Sequence, residues 1–448
     1  MDNSPTPTFN VDATALATAK PENTMPSNSP PPPNHPAQTS SWLRRLLVAA
    51  SFVVVTATLV SAAQRYIPRD YAGPDFIQFW TSAELIAAGE SPYSASRQSE
   101  IQQDLGWTKE GRGLGLYDFL PYYYPPWLAL AVVPLLAVGY AAAKAWWLVL
   151  LAEMLFLSAW FLKDTVRGVP AWMPFLLVFG FGFSIKALAL GQVAPIIVVL
   201  ASLTWWLLDR RSDFAAGAVL ALLTIKPHLA IVLIGLLLMW SLRHGRVPVL
   251  KGFLLTLATL VVVSTIAFPR WLPEMLAAQS VTPMPSAYFS GLGTTWNVVL
   301  IALGLKGFPL YLAYCAVAMP LLLALARMAF LEHRSLEEQF GIGLIAPFFL
   351  APYARCYDLP LLIIPALILL GTGKLSAAMR GALVFTWTAL VGLHILVLTA
   401  TMTVPTVGVR RTEFGYFWIP VLIAALWIAC VSSGRDAEKA ATDGGLSA

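Results

Sequence analysis

Long apolar runs, each closed by one or two basic residues, recur from residue 46 to residue 432 of this 448-residue chain. Lys163 and Arg167 close a run over 145–162, and Arg210 and Arg211 close one over 193–208. Arg243 with Arg246 and Lys374 with Arg380 end two further apolar regions. Lipid cannot hydrogen-bond backbone N–H and C=O groups, so such runs must satisfy themselves as helices. Composition agrees. Charged residues make up 12% of the chain and mean hydropathy is +0.69, whereas soluble domains carry about 25% charged residues. The expected fold class is an all-α polytopic membrane protein.

Cys315, Cys356 and Cys430 are too few and too scattered for a disulfide framework or a zinc site. The chain has no Walker loop, no His-Glu-x-x-His and no dinucleotide glycine fingerprint. ATP-driven pumping, zinc proteolysis and nucleotide-cofactor chemistry therefore lack their motifs. No nucleic-acid partner is expected.

Basic residues collect in cytoplasmic loops. Placing every basic pair on that side gives roughly twelve passes through the cell inner (plasma) membrane, with both termini cytoplasmic. Residues 1–40, with the run Pro30–Pro33, bury too little apolar area to fold and read as a disordered tail. A membrane module over 41–268 comes next, with a first outer loop over 64–143. A C-terminal membrane module covers 269–432, and a short cytoplasmic tail 433–448. Within the outer loop, Phe76, Phe79, Trp80, Ala83 and Ala87 fall at helical spacing, which predicts an amphipathic interfacial helix. The apolar stretch 125–138 is shorter than the ~20 residues a span needs and reads as re-entrant or interfacial.

The stretch 214–240 carries basic flanks at both ends. If both flanks face the cytoplasm, the chain enters and returns within it. Each leg is then ~13 residues, roughly 20 Å of helix, against a hydrocarbon core of about 30 Å. The tip is Lys226-Pro227-His228, where proline breaks the helix and frees polar backbone. One long, Pro-kinked helix is the alternative.

Ionisable groups in or beside a membrane are costly and carry functional hypotheses by default. Asp75 follows a Gly-Pro turn and suits an N-cap or a general base for an acceptor hydroxyl. Phe79 and Trp80 suit stacking on a sugar ring or anchoring a helix. Lys226 and His228 beside free backbone suit a phosphate; a snorkelling lysine is the plainer account. Arg355 and Asp358 read as a local ion pair. Glu153 and Lys186, both within apolar runs, read as a structural pair between helices. Gly191-Gln192 reads as a helix start on the outer side or a simple turn. Arg410 and Arg411, placed outside, suit an anionic ligand or lipid headgroups.

The order Asp75-Phe-Ile-Gln-Phe-Trp80, Gly89-Glu-Ser-Pro-Tyr93, Tyr124-Pro-Pro126, Gly191-Gln192 and Ile225-Lys-Pro-His228 resembles the GT-C membrane glycosyltransferases. It is most similar to glycosyltransferase family 87, the polyprenol-phosphate-mannose-dependent α-mannosyltransferase type. The resemblance is clearest between Asp75 and Trp240. It departs at Gly293-Thr-Thr-Trp-Asn-Val-Val299, where relatives show an Asn-Gln-Ser-Leu-like stretch. It implies a GT-C-like bundle whose first outer loop carries the catalytic base, here Asp75. It implies a polyprenyl-phosphate sugar donor, a glycolipid or polysaccharide acceptor, and transfer of a hexose, mannose by this likeness, on the non-cytoplasmic face. Lys226 and His228 would meet the donor phosphate, helped by Arg355 or Arg410. Phe79, Trp80, Tyr124, Gln192 and Asp358 would face sugar or acceptor. No cofactor is expected, and the absence of an Asp-x-Asp in the outer loop argues against a metal. A secondary transporter or lipid-linked sugar flippase is the competing expectation, since broken helices also mark transport sites.

Overall fold

The computed structural model describes residues 41–66, 73–107, 119–281, 293–332, 334–393 and 413–430. The chain divides into two compact units, Met1–Val53 and Val54–Ala448. The described part of the first is the opening of helix α1 (Ser41–Tyr66), and every later element belongs to the second. The tails expected at 1–40 and 433–448, and Arg410 and Arg411, lie outside the described residues.

Among the described residues every regular element is a helix. Four are long and apolar enough to cross a membrane: α5 (Tyr140–Thr165), α11 (Val247–Ala267), Gly307–Phe330 and Glu413–Cys430. A fifth forms if α6 (Met173–Phe179) and α7 (Gly182–Leu190), bent by 54°, count as one. That is fewer than the roughly twelve passes drawn from the basic loops. The reason is visible in the chain. Apolar runs are cut by breaks, and helices restart on prolines. α4 (Pro126–Val132), α6, α8 (Ala194–Asp209), α10 (Pro227–Arg243) and α11 each carry a proline in the first turn. Proline fits there because that N–H has no intrahelical partner.

α8 runs through the middle of the bundle, packed on α5 and on α9 (Asp213–Leu222), which in turn packs on α11. The α9–α11 crossing brings backbone against backbone. A Cβ on Gly217 would lie 1.9 Å from the Val249 carbonyl oxygen, and one on Gly252 would lie 2.0 Å from that of Phe214. Gly217→Ala must therefore push the helices apart, with an expected loss of ~1–3 kcal/mol. A lower melting temperature in detergent checks this. Gly235→Ala, where a Cβ meets open space, is the control that should not melt earlier.

One end of the bundle gathers the basic loops. Arg246 forks onto Asp213, at 3.0 Å from Nε to each carboxylate oxygen, and donates to the Leu208 carbonyl. Asp164 lies 3.9 Å from Arg210, and Arg167 lies 3.9 Å from Asp209. Gly168 abuts the Gly371 backbone. The Asp213–Arg246 pair joins the start of α9 to the residue that opens α11, three past the end of α10, so the chain leaves this end and returns to it. The break is at Lys226 (φ −131°, ψ 72°). The 214–240 stretch is thus a hairpin with Lys226-Pro227-His228 at its tip, not one kinked helix.

Helix α2 (Phe76–Ala87) departs from expectation. An interfacial helix keeps a polar face in water. Here Gln78, Thr81 and Ser82 are buried along with the apolar face. The cover is supplied by α3 (Ala95–Asp104), α4, the 3-10 turn Val133–Val138 and α5. α3 is polar but for Ala95 and Ile101, yet its Gln98 and Gln102 are buried because they act as a clasp. Gln98 accepts from the Tyr122 N–H at 2.9 Å and donates to the Pro92 carbonyl at 2.7 Å. Gln102 exchanges bonds with both backbone groups of Leu120 at 2.8 and 2.7 Å. Arg97 forks onto Glu90 and holds its carboxyl below the usual carboxylate range.

Candidate active site

Asp75 stands at the N-cap position of α2, but its side chain caps nothing. Its carboxylate instead accepts a hydrogen bond from Gln192 Nε2. Backbone pairing sets this meeting. Gly73 N–H donates to the Ala189 carbonyl at 2.7 Å, and Asp75 N–H donates to that of Leu190 at 3.0 Å. The 73–75 turn is thereby stitched to the end of α7. There Gly191 takes a left-handed conformation (φ 75°), and a Cβ on it would lie 3.1 Å from Gly73 Cα. Trp147 Nε1 donates to the Gly191 carbonyl at 2.7 Å and fixes the turn from α5. Gln192 is buried, and its Oε1 lacks a hydrogen-bond partner among the described residues.

Helix geometry places Lys226 toward the same end. α8 starts just after Gln192 and ends at Asp209, beside the start of α9. α9 with its terminal 3-10 turn (Leu223–Ile225) climbs back along α8 by about 20 Å. Lys226 and Asp358 form a buried ion pair, at 3% and 0% exposure. The other Asp358 oxygen accepts from the Arg355 N–H at 2.9 Å. Lys226 Nζ sits 5.1 Å from the centre of the Tyr357 ring. That ring packs with Ala187, Leu190 and Ala194, which flank the Gly191-Gln192 turn. A continuous wall therefore runs from Asp75 through Gln192 and Tyr357 to Lys226.

Several sequence expectations change here. Arg355 and Asp358 do not pair through their side chains. Arg355 forks onto Glu413, with Nε–Oε2 at 2.8 Å and Nη2–Oε1 at 3.0 Å. Lys186 does not meet Glu153. Its Nζ lies 3.7 Å from Glu413, while Glu153 accepts from Thr56. Glu413 is the residue that sequence reasoning missed; no periodicity or motif marks it. Phe79 and Trp80 have their faces covered. Phe79 packs on Tyr124 and Trp147, with centroids 5.4 and 5.5 Å apart, and Trp80 packs edge-on to Tyr140 at 5.5 Å. Both rings are buried and hold α2 in place, away from the open surface that stacking on a sugar needs. Tyr124 is held by its carbonyl, which accepts from the Tyr93 hydroxyl at 2.9 Å. His228 Nε2 is buried and has no hydrogen-bond partner among the described residues. Arg410 lies outside them.

The site end thus holds a carboxylate with an oriented donor, buried cations, and unmatched polar atoms on Gln192 and His228. Buried polar atoms without partners mark places where a polar ligand or water completes the set. A cavity of about 440 Å³ lies elsewhere, at the basic end, lined by Arg167, Trp205, Glu338, Ile368, Lys374 and Trp427 among others.

Residues 122–352 match the family described as Glycosyltransferase family 87. No curated protein and no solved structure matches the chain. The matched stretch contains Tyr124, Gln192, Lys226 and His228. Asp75, Arg355, Asp358 and Glu413 fall outside it, so their roles rest on geometry.

Proposed function

The chain belongs to glycosyltransferase family 87, and from that premise we propose that it moves a hexose, mannose by the family resemblance, from a polyprenyl-phosphate donor to an acceptor hydroxyl, with Asp75 as general base. It is a membrane glycosyltransferase. The observation that carries the finer reading is the Asp75–Gln192 contact at the end of the bundle where Lys226 sits. The hydrogen bond from Gln192 Nε2 fixes the orientation of the Asp75 carboxylate.

In the reaction, the acceptor oxygen attacks the anomeric carbon as the bond from that carbon to the phosphate oxygen breaks. Asp75 takes the hydroxyl proton, and the electron pair leaves with the phosphate. Negative charge grows on the leaving group, so cations there stabilise the transition state more than the ground state. Lys226 and Arg355 supply that charge once their carboxylate partners yield, and the unmatched His228 Nε2 is a further polar contact. One carboxylate base, with the Asp358 and Glu413 carboxylates engaged by cations, fits single displacement with inversion. The glycolipid or polysaccharide acceptor and the non-cytoplasmic location of the site come from the resemblance and from the basic loops at the opposite end.

The test uses membranes containing the protein and a radiolabelled polyprenyl-phosphate hexose. Labelled product is expected without added nucleotide sugar. Movement of intact donor across vesicles, with no product, would replace this reading by the flippase one.

A further inference from the structure

We propose that Lys186 and Arg355 form an oxyanion subsite in which the Glu413 carboxylate is a resident stand-in, displaced when the phosphate of the lipid-linked donor enters. The proposal rests on the donor reading above and extends it to Lys186 and Glu413, which no motif marks. Its geometry is that of anion recognition. The Arg355 guanidinium meets both Glu413 oxygens as a fork, at 2.8 and 3.0 Å, and Lys186 Nζ approaches one of them at 3.7 Å. A guanidinium fork plus an ammonium point charge is also the donor set that suits two oxygens of a phosphate.

The setting argues against mere glue. Side chains of Arg355 and Glu413 are 13% and 10% exposed, and apolar residues of similar volume often stabilise a fold as well as a buried ion pair does. The three groups come from three elements: α7 of the bent α6–α7 pair, the turn before Cys356, and the start of Glu413–Cys430. The subsite adjoins Lys226, because the Tyr357 ring lies 5.6 Å from the Arg355 guanidinium and 5.1 Å from Lys226 Nζ. Among the described residues of this cluster, Lys186, Lys226 and Arg355 pair with Asp358 and Glu413, three cations against two carboxylates, with Asp75 further along the wall.

That excess suits the chemistry. A sugar–phosphate–lipid diester carries one negative charge. The phosphate monoester left after transfer approaches two, since its second ionisation falls near pH 6. The cations hold the departing phosphate as its charge grows, and the returning Glu413 carboxylate competes with it for Arg355 and Lys186, which promotes release.

The test is binding of farnesyl phosphate to the purified full chain in detergent, with inorganic phosphate and farnesol as the other arms. Glu413→Gln keeps the shape and removes the competing charge. It is expected to tighten farnesyl phosphate binding about tenfold, the order of one charged contact. It should leave farnesol unchanged. Adding Lys186→Gln should abolish the gain. Equal affinity in wild type and Glu413→Gln, or a gain that survives Lys186→Gln, overturns the proposal. A gain of equal size for inorganic phosphate overturns the assignment to a lipid phosphate. Should Glu413→Gln fail to fold, Lys186→Gln alone decides: about tenfold weaker binding is expected, and unchanged binding refutes it. No transfer step enters these measurements. Sugar transfer that persists while Glu413→Gln changes nothing would sink this subsite and leave the proposed function standing.

Discussion

Replacing Asp75 by Asn is expected to lower sugar transfer by roughly a hundredfold or more, with the protein still folded. Asn has the same shape, and its carbonyl oxygen still accepts from Gln192 Nε2, which now donates to the Asp75 carboxylate. The backbone bonds from Gly73 and Asp75 to the end of α7 do not involve the side chain. The change therefore removes the ability to take a proton while keeping the tie to Gln192. Donor affinity should be preserved, since the proposed phosphate contacts lie on Lys226 and Arg355, so the loss should fall on kcat rather than KM. Single-turnover transfer, together with a melting curve, checks both parts. Wild-type turnover in folded Asp75→Asn protein would remove this residue as the base. Loss of turnover together with early melting would make the contact to Gln192 a structural tie.

How much of the fold and site is legible in the sequence depends on how far apart the partners lie. Helical class and membrane character come from single-residue properties summed over long windows, and those are plain. The hairpin over 214–240 is legible as well, because its cause is local: basic flanks on either side and a proline at the tip. The Asp213–Arg246 contact is the physical form of that rule. The burial of α2 is not legible. Its polar positions are covered by α3 and by the stretch around Tyr122, through glutamine-to-backbone bonds that no spacing announces. Arg355 and Asp358 mislead for a related reason. Three residues apart, they read as partners of each other, yet each side chain is paired with a residue far along the chain: Glu413 for one, Lys226 for the other. Burial of charge demands a partner, and sequence shows the demand without showing who meets it. Gly191-Gln192 lies between these cases. The glycine signals a turn, but only the close approach of Gly73 explains why Gln192 ends up on Asp75.

The Lys226–Asp358 pair offers the second large effect, and it separates structure from chemistry. Lys226→Met alone leaves the Asp358 carboxylate at 0% exposure without its cation. Asp358→Leu alone strands the ammonium in the same way. Each single change is expected to destabilise by ~3–5 kcal/mol, because an uncompensated buried charge must be hydrated, neutralised or expelled. The double variant Lys226→Met/Asp358→Leu removes both charges and fills the space with apolar atoms. Its melting temperature is expected to recover most of the loss, because apolar pairs often replace buried ion pairs. Its stability should stay short of the wild type by about 1 kcal/mol, for the Arg355 N–H that loses its acceptor. Activity should not return with stability. If Lys226 neutralises the leaving phosphate, its removal forfeits transition-state charge stabilisation, a loss of about a hundredfold or more in transfer. Measuring melting and transfer on the same four proteins closes the cycle. A stable double variant with wild-type transfer would make Lys226 a structural residue and move the search for the phosphate's cation to Arg355 and Lys186. A stable double variant without transfer assigns the Lys226–Asp358 pair to the reaction rather than to the fold.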